Sequence, residues 1–169
     1  MRVSIRTLQL LDKWQKMTIV RVNYKDWIFE VNKQLTEDTY AKIMCSGSEG
    51  CDCDDCKNYL AFRDSVFPAE VHNLFNDLGI DYRKEVEILS YETLPNGLHC
   101  VGGWFHFKGR IVSGKDCRVP LLGGGNTLNL TKISDNFEIG FAEYSGLTYF
   151  ENKDDLVQIE FITYIPSFQ

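Results

Sequence analysis

From residue 17 the chain falls into short segments of alternating apolar and polar character. MTIVRVN and WIFEV read as strands with Tyr24-Lys25-Asp26 as the turn between them, which predicts a hairpin. Thr36 offers an N-cap hydroxyl to TEDTYAKIM, and Glu37 and Asp38 sit where the positive helix end favours acids. A short helix is therefore expected over residues 37–44. In KNYLAFRDSVF, Cys56, Tyr59, Leu60, Val66 and Phe67 share a stripe and predict a second helix. Pro68 suits the first turn of a third. Its apolar residues Val71, Leu74, Phe75 and Leu78 recur at helical spacing, and Gly79 followed by Ile80 matches a left-handed C-cap with its hydrophobic contact.

Beyond Asp81 the pattern is that of strands. EVEILSYETL and LHCVGGWFHF flank the turn signal Pro95-Asn96-Gly97 and should pair antiparallel. The second is apolar on both parities, which predicts a central strand covered on both sides. Further strands are expected in TLNLTKI, FEIGFAEY, LTYF and LVQIEFITYI, the last alternating through Val157, Ile159, Phe161 and Ile165. The fold class expected is α+β: a mainly antiparallel β-sheet with two to three helices in the first half of the chain, packed on one face or end. Residues 17–169 read as one domain. Residues 1–16 read as an extension, either a short helix through Ile5, Leu8, Leu11 and Trp14 or a loose arm. No internal repeat or linker rich in Pro, Gly or Ser divides the chain.

With 44% hydrophobic residues in 169, the chain can bury an ordinary core without disulfide staples, and global disorder is excluded. Its net charge of −6 lacks the footprint of a general nucleic-acid or anionic-membrane binder. The one basic stretch, residues 1–25, sets Arg2, Arg6, Lys13, Lys16, Arg21 and Lys25 against Asp12, without the dense clustering of nucleic-acid-binding tails. No run approaches the roughly 20 apolar residues that span a bilayer, and the N-terminus lacks a signal-peptide apolar region. A cytoplasmic chain is expected. There, six cysteines point to free, metal-bound or redox-active thiols rather than a disulfide framework.

The dense feature is CSGSEGCDCDDCKNY, which places Cys45, Cys51, Cys53 and Cys56 at C-x5-C-x-C-x2-C. Soft thiolates bind zinc or iron, and a C-x2-C turn presents two sulfurs to one ion. Cys51, Cys53 and Cys56 form the expected core, because Cys56 opens a helix and Cys53 sits one turn before it. The fourth ligand stays open: Cys45 is nearest, while His99, Cys100, His106 or Cys117 would tie the loop to the sheet. A plainer reading leaves these as free thiols at a tight loop and a buried helix start. Redox exchange is disfavoured, because Glu49, Asp52, Asp54 and Asp55 oppose a thiolate and no βαβ pattern surrounds the motif. The same acids attract a cation. They also localise the charge, since without them 20 acids face 18 bases.

A second feature, GLHCVGGWFHFKG, crowds His99, Trp104, Phe105, His106 and Phe107 onto one strand. Cys100 and His106 lie roughly 20 Å apart along an extended chain, so they cannot pair as nucleophile and base. His106 reads first as a core or pocket-wall histidine, His72 as exposed on a helix flank, and Glu85 with Glu87 as exposed like charges on a strand. LLGGGNTLNL lacks the Gly-Lys-Ser/Thr of a phosphate loop, and no G-x-S-x-G or H-E-x-x-H motif occurs.

Together, CDCDDCKNY, the Pro68 helix ending at Leu78-Gly79-Ile80-Asp81, GLHCVGGWFHFKGRI and LVQIEFITYIP make the chain resemble a group of bacterial single-domain proteins of unknown function over roughly residues 27–166. That resemblance implies a cytoplasmic, single-domain protein and assigns no catalytic residue. The function expected is a non-enzymatic binding or interaction domain with a structural zinc at the cysteine loop, meeting a protein partner through its acidic face. Nucleic acid and membrane are not expected partners. The alternative is a small metal-dependent or thiol enzyme joining that loop to His106, with Trp104 and Phe105 as pocket walls.

Overall fold

The computed structural model describes residues 18–167, so the expected N-terminal helix or arm lies outside the described residues. Strands β1 (Val20–Tyr24) and β2 (Trp27–Val31) form the expected hairpin, with Lys25 left-handed in its turn. Three helices follow: α1 (Lys33–Tyr40), α2 (Asp54–Val66) and α3 (Ala69–Leu78). The remaining strands are β3 (Glu87–Thr93), β4 (Leu98–Ser113), β5 (Arg118–Pro120), β6 (Asn126–Leu128), β7 (Thr131–Ser134), β8 (Phe137–Glu143) and β9 (Leu156–Pro166). This is the α+β class expected, with its helices in the first half of the chain.

The main sheet runs β1-β2-β4-β9-β8-β7, and every pairing in it is antiparallel. The 16-residue β4 is its centre. Along one side it pairs with β9; along the other, β3 takes its first half and β2 its last residues. Both edges of β4 are therefore paired, and residues of both parities, Cys100, Val101, Phe105, His106 and Phe107 among them, are buried, in keeping with its apolar character on both faces. Strands β5 and β6 form a separate two-stranded sheet.

Because strand side chains alternate, β4, β8 and β9 bury Phe105, Phe137, Ile139, Phe141, Ile159 and Phe161, and Phe141 meets the rings of Trp27 and Phe29 on β2 at 4.9 and 4.8 Å. Phe67, between α2 and α3, meets the rings of Phe75, Phe105, Phe137 and Phe161 at centroid distances of 5.2–5.8 Å. Aromatic edges and faces thus join the helical layer to the sheet. Helix α3 ends as expected, at Gly79 with φ 81°, and its buried stripe is Val71, Leu74, Phe75 and Leu78.

Three expectations are corrected. Helix α1 starts four residues early because Asn32, not Thr36, is the N-cap: its side chain accepts the Leu35 amide at 3.1 Å. Thr36 is buried instead, donating to the Asn32 carbonyl and accepting the Lys108 amide, which docks α1 on β4. TLNLTKI divides between β6 and β7, and LTYF forms no strand. In the last case Trp104 takes the Leu147 carbonyl at 3.1 Å, and Tyr149 turns its hydroxyl to the Glu85 carbonyl at 2.7 Å.

Candidate metal centre

Cys53 is the N-cap of α2, and its sulfur accepts the Cys56 amide at 3.4 Å. The helix starts at Asp54, so Cys56 stands in its first turn, directed inward and buried, while Cys53 is exposed and Cys51 partly covered. The Cys51 thiol donates to the Cys53 sulfur at 3.2 Å, and the sulfurs of Cys51, Cys53 and Cys56 all lie within 4.8 Å of one another. Two sulfurs on a tetrahedral zinc, each at about 2.3 Å, stand about 3.8 Å apart. The cluster thus fits one thiophilic ion after displacements smaller than a bond length.

Hydrogen bonds and burial act differently on the outer and inner sulfurs. The Cys56 amide and the neighbouring thiols draw the Cys53 thiol below its ordinary value, whereas burial pushes Cys56 up. Glu49 is one of the acids expected to oppose a thiolate. Glu49 is turned away: it accepts the Ser46 amide at 2.9 Å and pairs with Arg63 at 3.0 Å. Asp52, Asp54 and Asp55 remain exposed around the sulfurs.

A buried carboxylate holds the loop that carries this cluster. Glu85 was expected on an exposed strand face; it is fully buried just before β3. One of its oxygens accepts both the hydroxyl and the amide of Ser48. Its backbone carbonyl accepts the Gly47 amide at 2.9 Å and the Tyr149 hydroxyl. Arg63, two turns along α2 from Cys56, stands 3.9 Å from the second carboxylate oxygen and also reaches the Ser46 hydroxyl. Burial raises the Glu85 carboxyl above its ordinary range, and the serine hydroxyls and Arg63 pull the other way. Gly47 passes so close to the Val86 carbonyl that a Cβ there would overlap it. Nothing local in the sequence marks this anchor, because its members come from residues 46–49, 63, 85 and 149.

The other proposed ligands lie apart from the three sulfurs. Cys45 is exposed earlier in the loop and is not among the grouped sulfurs; Cys100 and Cys117 are buried on the sheet. His99 shares a hydrogen bond with Thr93 at 3.1 Å. His106 is fully buried on β4, its Nε2 3.0 Å from the Gln158 side-chain oxygen. That oxygen also accepts the Ser145 amide, so His106 is the donor through Nε2 and its Nδ1 carries no proton. Burial is the first cause of its pKa falling to about 4. Trp104 and Phe105, neighbours on an extended strand, point to opposite faces and do not wall a common pocket. His72 is half-buried rather than exposed, with its ring edge-on to Tyr82 at 4.6 Å.

Comparison with known protein families, curated proteins and solved structures finds no match in any of the three. Among the described residues, no helix is long and apolar enough to cross a membrane.

Proposed function

We propose that the chain is a metal-binding interaction domain whose Cys51, Cys53 and Cys56 hold a zinc ion, with the fourth position taken by a donor other than a fourth cysteine. The observation that carries this reading is the convergence of three sulfurs within 4.8 Å. Soft sulfur favours zinc over the hard cations that acids alone would attract. A zinc ion bound there would cross-link the loop to the start of α2 and would offset part of the charge of the three thiolates. The chain's own residues do the positioning: Glu85, Ser48 and Arg63 set the loop, and the first turn of α2 sets Cys53 and Cys56.

The exposed Asp52, Asp54 and Asp55 make the surface around the sulfurs acidic, which suits a protein partner with a basic face. A cytoplasmic setting, in which thiols stay reduced, belongs to the same proposal. The enzymatic alternative loses its partner residue, since His106 is closed inside the sheet and is not among the grouped ligands.

Elemental analysis of protein purified without chelator tests the reading. One zinc per chain, lost when Cys51, Cys53 and Cys56 are all replaced by Ser, is expected. A metal-free protein that takes up no zinc on titration overturns it.

A further inference from the structure

We propose that the same three sulfurs form a hydroperoxide-sensitive release site, in which Cys53 is oxidised and closes a disulfide on Cys51, discharging the metal. The release step rests on the zinc reading above; the disulfide step does not.

Three geometric facts single out Cys53. Its side chain is exposed, so an oxidant can reach it. As the N-cap of a 13-residue helix it is held in place, its sulfur accepting the Cys56 amide at 3.4 Å. A second thiol, that of Cys51, already stands 3.2 Å from it. No other cysteine combines these features: Cys45 is exposed but outside the sulfur group, while Cys56, Cys100 and Cys117 are buried. Cys51 is also the more accessible of the two neighbours that could answer Cys53.

The chemistry balances with a hydroperoxide as the two-electron oxidant. The Cys53 thiolate attacks the terminal oxygen of the hydroperoxide, the O–O bond breaks, and the leaving oxygen takes a proton to depart as an alcohol, or as water from hydrogen peroxide. Cys53 becomes a sulfenic acid. Cys51 then attacks the Cys53 sulfur and the S–O bond breaks; the hydroxide leaves as water with the Cys51 thiol proton in the metal-free chain, and with a proton from solvent where Cys51 starts as a thiolate. Two thiols have become one disulfide, and the hydroperoxide has been reduced. A single thiolate, Cys56, is left to the metal.

The anchor of the loop is untouched by this step. Ser46, Ser48 and Glu49 meet Glu85 and Arg63 upstream of Cys51, so the disulfide forms without dismantling those contacts. With only Asp52 between the two cysteines, the closed ring is small and exposed, the setting in which a disulfide is readily reduced again.

The test treats the full chain, zinc-loaded and metal-free, with hydrogen peroxide. Released zinc is read with a chromogenic chelator, and linkages are read by mass spectrometry of unreduced digests. A Cys51–Cys53 linkage in both samples is expected, with full zinc release from the loaded one and recovery after dithiothreitol. Cys53→Ser should abolish the linkage, and Cys51→Ser should leave a sulfenic acid at Cys53 that dimedone traps. Absence of the linkage in metal-free protein, a Cys53–Cys56 linkage in its place, or first oxidation at Cys45 overturns the proposal. A linkage that forms in a chain that never takes up zinc retains the disulfide step and overturns the metal reading together with the release step that rests on it.

Discussion

Ser48 and Glu85, 37 residues apart, are joined by two hydrogen bonds to one buried carboxylate oxygen, from the hydroxyl and from the amide of Ser48. This relationship makes the cysteine loop part of the fold before any ion arrives. Replacing Glu85 by Ala strands the Ser48 donors and opens a void, a loss expected to be about 3 kcal/mol. Urea unfolding of Glu85→Ala checks the size. Faster hydrogen exchange confined at first to residues 46–53 checks the place.

The same carboxylate gives the stability a pH signature. Burial raises Glu85 above its ordinary 4.5, so the folded chain holds a proton there that the unfolded chain has released. Stability from this group is therefore greatest below 4.5 and falls as pH rises through the folded value. Glu85→Gln, which stays neutral, should remove that fall. Urea midpoints across the acid range, compared between the two proteins, read it directly; parallel curves would contradict the assignment.

His106 contributes the opposite slope. Its folded value of about 4 lies below the ordinary 6.5, so the unfolded chain takes up a proton first as the solution is acidified. Stability is intact above 6.5 and declines towards 4, by a quantity on the order of 3 kcal/mol over the interval. His106→Gln should flatten this part of the profile, whatever it does to stability at neutral pH.

Gly47 offers a test of loop placement that leaves every sulfur in position. Gly47→Ala forces a methyl group against the Val86 carbonyl, and overpacking of this kind costs about 1–3 kcal/mol. Weaker zinc binding with all six cysteines present is the expected outcome of a metal titration. Unchanged affinity would show that the docking of residues 46–49 does not matter to the sulfurs.

The features legible in the sequence were those with short-range causes. The Gly79 cap, the stripe of α3, the turn after Thr93 and the alternation of β9 each depend on residues a few positions apart. The three sulfurs were legible for the same reason, since one loop and one helical turn bring them together. Glu85 was not, because an acid before a strand looks the same whether it meets water or two serines and an arginine from elsewhere. The α1 boundary shifted because two capping residues competed and Asn32 satisfied the Leu35 amide. Strands β5 and β6, three residues each around a glycine-rich turn, are too short for alternation to register.

X-ray absorption at the zinc edge of the loaded chain tests the three-cysteine centre most directly. We expect three sulfurs at about 2.3 Å and one lighter donor at about 2.0–2.2 Å. A shell of lighter atoms only, or four sulfurs with Cys45 drawn in, would contradict a centre built from Cys51, Cys53 and Cys56.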